Sequence, residues 1–179
     1  MLIVLSFSGC NKNAEVPETP VVKPEIESKD EIIKPAKIPA DVLDWNEASK
    51  FVSDIDGDGE NERIILVTSA ERDRDGEFFW NDGQNWALYI DGKEDYLLYN
   101  QYLSTGFPYF EVSDYYMKDG TKTQIKLIVS TGASFSVSNY GFSASDGGYV
   151  KTVIYDTSNV TEGGINRIFS SLSDYDMED

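Results

Sequence analysis

Between residues 54 and 62 the chain reads Asp54-Ile55-Asp56-Gly57-Asp58-Gly59-Glu60-Asn61-Glu62, with a carboxylate at every second position. In a tight loop that spacing turns the acidic side chains toward one point, and Gly59 permits the positive φ that lets a backbone wind round a hard cation. Ligands that are all oxygen favour calcium over transition metals. The plain alternative is a polar hairpin without an ion. Against it stands the electrostatic cost of crowding four carboxylates with no cation between them. A helical EF-hand shares this opening but needs a bidentate Glu at loop position 12, which here is Ile65 in a β-branched run, so that reading fails. The expected chemistry is a calcium ion clipped between two extended segments, a structural role rather than a catalytic one. Extracellular calcium modules bind at roughly 10⁻⁴ to 10⁻³ M. At about millimolar calcium that affinity contributes about 0.4 to 1.4 kcal/mol of stability.

The stretch from Phe51 to Val67 resembles the FG-GAP or VCBS-type repeat, in which such a loop joins two strands of a blade. The resemblance implies that Asp54, Asp56 and Asp58 are side-chain ligands, that Glu60 offers its backbone carbonyl, and that Glu62 closes the site where the family usually has Asp. A second copy follows. Val52-Ser53-Asp54 through Gly59 and the run from Ile64 to Ser69 match Val112-Ser113-Asp114 through Gly120 and the run from Ile125 to Ser130, offset by 60 residues before the turn and 61 after it. That copy keeps Asp114 and Asp119 but carries Tyr116 and Lys118 inside the loop, and it is expected to bind no ion.

Cys10 is the other residue with chemistry of its own. Leu5-Ser6-Phe7-Ser8-Gly9-Cys10 resembles the lipobox of bacterial lipoproteins, where small residues precede a cysteine that is thioether-linked to diacylglycerol. Phe7 stands where that family usually has Leu, and no Lys or Arg precedes the apolar run, which suggests an upstream start or a clipped signal. Residues 1–9 are too short to span a bilayer, which takes about 20 apolar residues, and read as a signal peptide. Residues 10–40 hold five of the six prolines with no sustained period, the composition of a disordered, lipid-anchored linker. Two or three acyl chains, at about 0.8 kcal/mol per buried methylene, would make attachment stable. Asn11 departs from the Asp that retains lipoproteins in the inner membrane of two-membrane bacteria. The resemblance implies a protein held by lipid at the cell membrane or cell surface, on the extracytoplasmic side.

Composition removes several alternatives. There is one cysteine and no histidine, which excludes an intrachain disulfide, His-dependent triads and His-rich zinc sites. Formal charge is −17, and residues from 41 onward hold 10 bases against 26 acids, so nucleic acid is an unsuitable partner. Glu71-Arg72-Asp73-Arg74-Asp75-Gly76-Glu77 alternates acids with arginines that neutralise them, and reads as a solvated loop. Asp82, Asp91, Glu94 and Asp95 could supply the acid pair of an extracytoplasmic, glycosidase-like hydrolase. A non-catalytic binding or scaffold domain is the favoured reading. Trp80, Trp86, Tyr89, Tyr96, Tyr99, Tyr102, Tyr109, Tyr115 and Tyr116 are expected mainly in core and cross-strand packing, with a glycan or protein ligand if several share an exposed face. Gly163-Gly164 is too weak a signal for a phosphate loop.

The elements that must carry these residues are strands. Runs rich in branched and aromatic residues cover 50–53, 63–68, 86–90, 96–99, 109–112, 124–129, 139–142 and 149–155, with Asp91-Gly92 and Asp146-Gly147-Gly148 at hairpin spacing. The pattern predicts an all-β, mostly antiparallel domain over 41–179, built of two propeller-blade-like β-meander repeats at about 45–105 and 106–160. Two units cannot close a propeller, so a two-sheet assembly or association with another copy is expected. Short helices are predicted at 42–49 and 164–172.

Overall fold

The computed structural model describes residues 30–79, 83–117, 120–132 and 134–157. The predicted signal, Cys10, most of the predicted linker, Trp80, Asp82, Asp119 and the helix predicted at 164–172 lie outside the described residues. Among the described residues nine strands and one short helix follow in order: β1 (Glu31–Ile33), α1 (Ala40–Leu43), β2 (Asn46–Ser53), β3 (Glu62–Thr68), β4 (Gln84–Asp91), β5 (Tyr96–Leu103), β6 (Phe107–Met117), β7 (Gly120–Ser130), β8 (Phe135–Ser143) and β9 (Gly148–Asp156). They form two antiparallel sheets, ordered β2-β3-β4-β5 and β1-β9-β8-β7-β6, neither closed into a barrel. Each predicted unit supplies one four-stranded meander, and β1 adds itself to the second sheet.

The sheets face each other across one core. Ile64, Leu66, Trp86, Leu88, Ile90, Tyr96 and Leu98 from the first sheet meet Ile125, Leu127, Val129, Tyr140 and Tyr149 from the second. Burying each of these large side chains stabilises the fold by about 1.5 to 3 kcal/mol. The runs Ile64-Ile65-Leu66-Val67 and Trp86-Ala87-Leu88-Tyr89-Ile90 do not alternate with polar residues, and the structure gives the reason: the outer face of the first sheet is covered as well. Ile38 and Val42, with Trp45 against them, pack onto Ile65, Val67, Ala87 and Tyr89.

That cover corrects the predicted linker, which ends earlier than residue 40. Ile32 pairs with Val150 and Ile33 with Tyr149, so β1 occupies an edge of β9 that would otherwise present unpaired backbone groups. Gly148 allows this approach, because a Cβ there would run into the Ile33 carbonyl. The chain then crosses to the first sheet. The Lys34 ammonium donates to the Asp146 carbonyl, and Ala36 N–H donates to the Asp95 carbonyl at 2.9 Å.

The helix predicted at 42–49 is a second correction. Only one turn, Ala40–Leu43, is helical, and Asn46–Ser53 is the strand β2. A single turn cannot repay helix nucleation, whereas pairing with β3 from Asn46↔Thr68 to Ser53↔Glu62 satisfies the backbone of the remainder. Pro108, the one proline of the second sheet, sits in β6 at the sheet edge, where a missing N–H is tolerated.

Candidate metal centre

Residues 54–61 connect β2 to β3 at one end of the two sheets. The loop is folded by its own carboxylates. Asp54 accepts from Gly57 N–H at 2.8 Å through Oδ1 and from Gly59 N–H at 3.0 Å through Oδ2. Asp56 Oδ1 accepts from Asp58 N–H at 3.0 Å, and Asp58 Oδ1 accepts from Glu60 N–H at 2.8 Å. The two glycines take the left-handed conformations that make the winding sterically feasible, with φ of 81° at Gly57 and 92° at Gly59. As a result carboxylate oxygens of Asp54, Asp56 and Asp58 lie within 4.8 Å of one another.

The other two predicted ligands are placed differently. Glu60 is exposed. Glu62 stands outside the group of three, at the first position of β3, and is only 5% exposed. Its Oε2 accepts from Ile55 N–H at 2.9 Å. Burial raises the Glu62 carboxyl above the usual carboxylate range, the Ile55 N–H works against that, and the negative charges of Asp56, Asp58 and Asp54 push it further up. Among the described residues the ion pairs are Lys50–Glu47, Arg63–Asp91, Lys126–Glu111 and Lys151–Glu31, none of which engages the loop. Four carboxylates therefore gather at one end of the fold with backbone N–H groups as their hydrogen-bond partners.

Ile55 is the residue that sequence reading passed over. Its side chain is 4% exposed and belongs to the main core, so it pins the middle of an otherwise polar loop to the hydrophobic interior. A lone branched apolar residue inside an Asp-Gly run was the available signal.

The loop stands between two depressions. One, of about 250 Å³, is bounded by Asp56, Asp58, Glu62, Lys93, Glu94, Tyr96, Phe142 and Tyr149. Tyr96 and Tyr149 meet edge to face at 4.9 Å, and the Tyr96 hydroxyl donates to Glu94 at 2.9 Å. Burial, this hydrogen bond and the nearby acids hold the Tyr96 hydroxyl up at about 12. The other depression is an open groove of about 730 Å³ with Asp54, Asp56 and Gly57 on one side and Asp114, Lys122, Thr123 and Ser143 on the other.

In the second copy the loop has been absorbed into a strand ladder. Asp114 pairs with Thr123, whose hydroxyl donates to Asp114 Oδ1 at 2.8 Å, and the ladder continues to Met117↔Gly120. Tyr116 and Met117 stand where the first copy has Asp56 and Gly57, residue types that are depleted in strands.

The remaining candidates fall apart. Asp91 pairs with Arg63, Glu94 accepts from Tyr96, and the backbone carbonyl of Asp95 holds Ala36 N–H. Arg72 lies 3.9 Å over the Phe78 ring and donates to the Glu47 carbonyl at 2.8 Å, while Asp73 Oδ1 accepts two backbone N–H groups, so the 71–77 loop is exposed but shaped. Trp86, Tyr89 and Tyr96 are buried as expected, whereas Tyr102 and Tyr115 are 58% and 42% exposed. No helix among the described residues is long and apolar enough to cross a membrane.

What fold and site define together is an antiparallel two-sheet domain bearing a carboxylate-lined loop at one end. Compared with protein-family models, curated proteins and solved structures, the chain finds no match.

Proposed function

We propose that this protein is a lipid-anchored, extracytoplasmic binding or scaffold module whose fold is stabilised by a calcium ion held between β2 and β3. The observation that carries the reading is the position of Glu62, a residue only 5% exposed whose carboxyl feels the charges of three aspartates with oxygens within 4.8 Å of one another. Burying a charge next to like charges is costly unless a cation compensates it. Asp54, Asp56 and Asp58 would hold the ion, with Glu60 and Glu62 completing the shell as in the FG-GAP-like pattern. The ion's contribution is charge neutralisation of the loop. A carboxylate hydrolase would need an acid that reaches a substrate, and Glu62 is instead turned onto the Ile55 N–H of its own loop. The lipid anchor is carried by Cys10 and its flanking sequence alone.

Calorimetric titration of the full chain with calcium, beside an Asp56→Ala, Asp58→Ala variant, tests the ion. Heat and a raised melting temperature are expected in the parent and neither in the variant; no heat in the parent discards the site. Cys10→Ser should move the protein out of the membrane fraction, and unchanged fractionation refutes the anchor.

A further inference from the structure

Six apolar side chains of the second sheet lie outside both hydrophobic clusters. Strand alternation sends Ile125, Leu127 and Val129 of β7 into the inter-sheet core and Ile128 to the outer face of the sheet. The ladders place Tyr109, Val137 and Tyr155 in one row with Ile128, and Phe107 and Phe135 in the row beside it. None of the six belongs to the core or to the cover that Ile38 and Val42 form on the first sheet. The row on the other side is polar, with Glu111, Lys126, Asn139 and Thr152, as a solvated sheet face should be. The apolar band is thus confined to the end where β9 finishes. Phe107 is 47% exposed, and Tyr109, Phe135, Val137 and Tyr155 are half-buried, so their own neighbours cover the band only in part.

The sequence supplies an occupant. β9 starts beside the acidic loop, where Tyr149 bounds the same depression as Asp56 and Asp58, and its far end brings the chain to this band. Tyr155 lies 6.0 Å from the Phe135 ring, and the Thr157 hydroxyl accepts from Phe135 N–H at 2.9 Å. Residues 158–179 come next in the sequence. Within them Ile165, Ile168, Phe169 and Leu172 recur at helical spacing, with Asn166, Arg167, Ser170 and Ser171 between them, which makes one apolar stripe on a polar background. A helix over 164–172 is too short to persist alone in water, so its stripe has to be covered for it to form. The dimensions agree. Such a helix is about 14 Å long, and the row from β6 to β9 spans three inter-strand spacings, also about 14 Å. Residues 158–163, extended, reach about 20 Å, enough to turn from the end of β9 onto the face.

We propose that residues 164–172 dock as an amphipathic helix on the outer face of the second sheet, with Ile165, Ile168, Phe169 and Leu172 laid across Tyr109, Ile128, Val137 and Tyr155. Each sheet is then covered by the chain that adjoins it, the first by the segment from Ile38 to Trp45 and the second by this one. A short tether holds the segment near its site at an effective concentration in the millimolar range, an advantage that a second copy of the protein lacks. The docking uses neither the calcium loop nor the lipid anchor and stands apart from both.

The test is amide-resolved NMR on the full chain carrying Cys10→Ser and Ser170→Cys, with a nitroxide spin label on the one remaining thiol. The label should broaden the amides of 107–109, 128–130 and 135–137 at every protein concentration and leave those of 54–60 sharp. Adding Ile168→Asp and Phe169→Asp should abolish the broadening and lower the melting temperature by about 5 °C. A mixture of isotope-labelled chains without the nitroxide and nitroxide-bearing chains without the isotope should show no broadening. The proposal is overturned if the sheet amides stay sharp, if the double aspartate variant leaves them broadened, or if the mixture broadens them as strongly as the single species, which would make the occupant a second copy.

Discussion

Replacing Asp56 and Asp58 together by Asn should stabilise the protein without calcium and abolish its response to the ion. Three carboxylates within 4.8 Å of one another repel by about 0.9 kcal/mol per pair at the dielectric constant of water, about 2.6 kcal/mol for the three pairs. Physiological salt, with a screening length of about 8 Å, reduces this to roughly 1.4 kcal/mol. The double variant removes all three repulsions but keeps an amide oxygen to accept from Asp58 N–H and Glu60 N–H, at a loss of a few tenths of a kcal/mol for the weaker neutral acceptors. The net expectation in chelator is a gain of about 1 kcal/mol, or roughly 3 to 6 °C in melting temperature for a domain of this size. At about 10 mM calcium a site of 10⁻⁴ to 10⁻³ M affinity gives the parent about 1.4 to 2.7 kcal/mol and the variant nothing. The order of the two melting curves should therefore invert between chelator and calcium. Scanning calorimetry on both proteins in both buffers reads this directly. A variant that is less stable than its parent in chelator, or equal calcium responses in the two proteins, refutes the reasoning.

Glu62 makes the metal-free protein sensitive to pH. Its carboxyl in the fold is raised above the ordinary value of 4.5, chiefly by burial, so the folded state keeps its proton to higher pH than the unfolded chain does. That contribution is complete below 4.5 and is lost as pH rises through the raised value; melting curves in chelator should fall across that window, and less so for Glu62→Gln. Gly59→Ala meets no atom within 4 Å, so its cost is conformational: about 1 kcal/mol from forcing a φ of 92° on an L residue, read by denaturant unfolding. Gly148→Ala drives a methyl into the Ile33 carbonyl and should detach β1, opening residues 30–40 to limited proteolysis at a cost of about 1 to 3 kcal/mol. Val42→Ala, at a side chain with no solvent exposure, should cost about 2 kcal/mol in the same unfolding assay if the cover over the first sheet is native packing.

Strand identity was written locally. The branched and aromatic runs and the Asp-Gly turns set eight strands, because period and turn chemistry are properties of short windows; pairing then lengthened most of them, as β6 grew from a four-residue run to Phe107–Met117. The carboxylate spacing of residues 54–62 was equally local, and the loop closed on Asp54, Asp56 and Asp58 as the spacing implied. Tertiary structure alone decided the rest. Glu31–Ile33 is a strand only because β9 offers an edge, and Ile38 and Val42 are core only because the first sheet has an outer face to cover. The same holds for Glu62, whose alternation with Asp54, Asp56 and Asp58 gives no hint that it is a buried residue while Asp54 and Asp56 are half-buried and Asp58 is exposed. Ser136 and Ser138 lie before the run predicted at 139–142, and only pairing with β7 and β9 draws them into β8, opposite the core residues Val129 and Leu127. Which face of a strand meets another sheet depends on residues far away in the chain, and no local pattern carries that information.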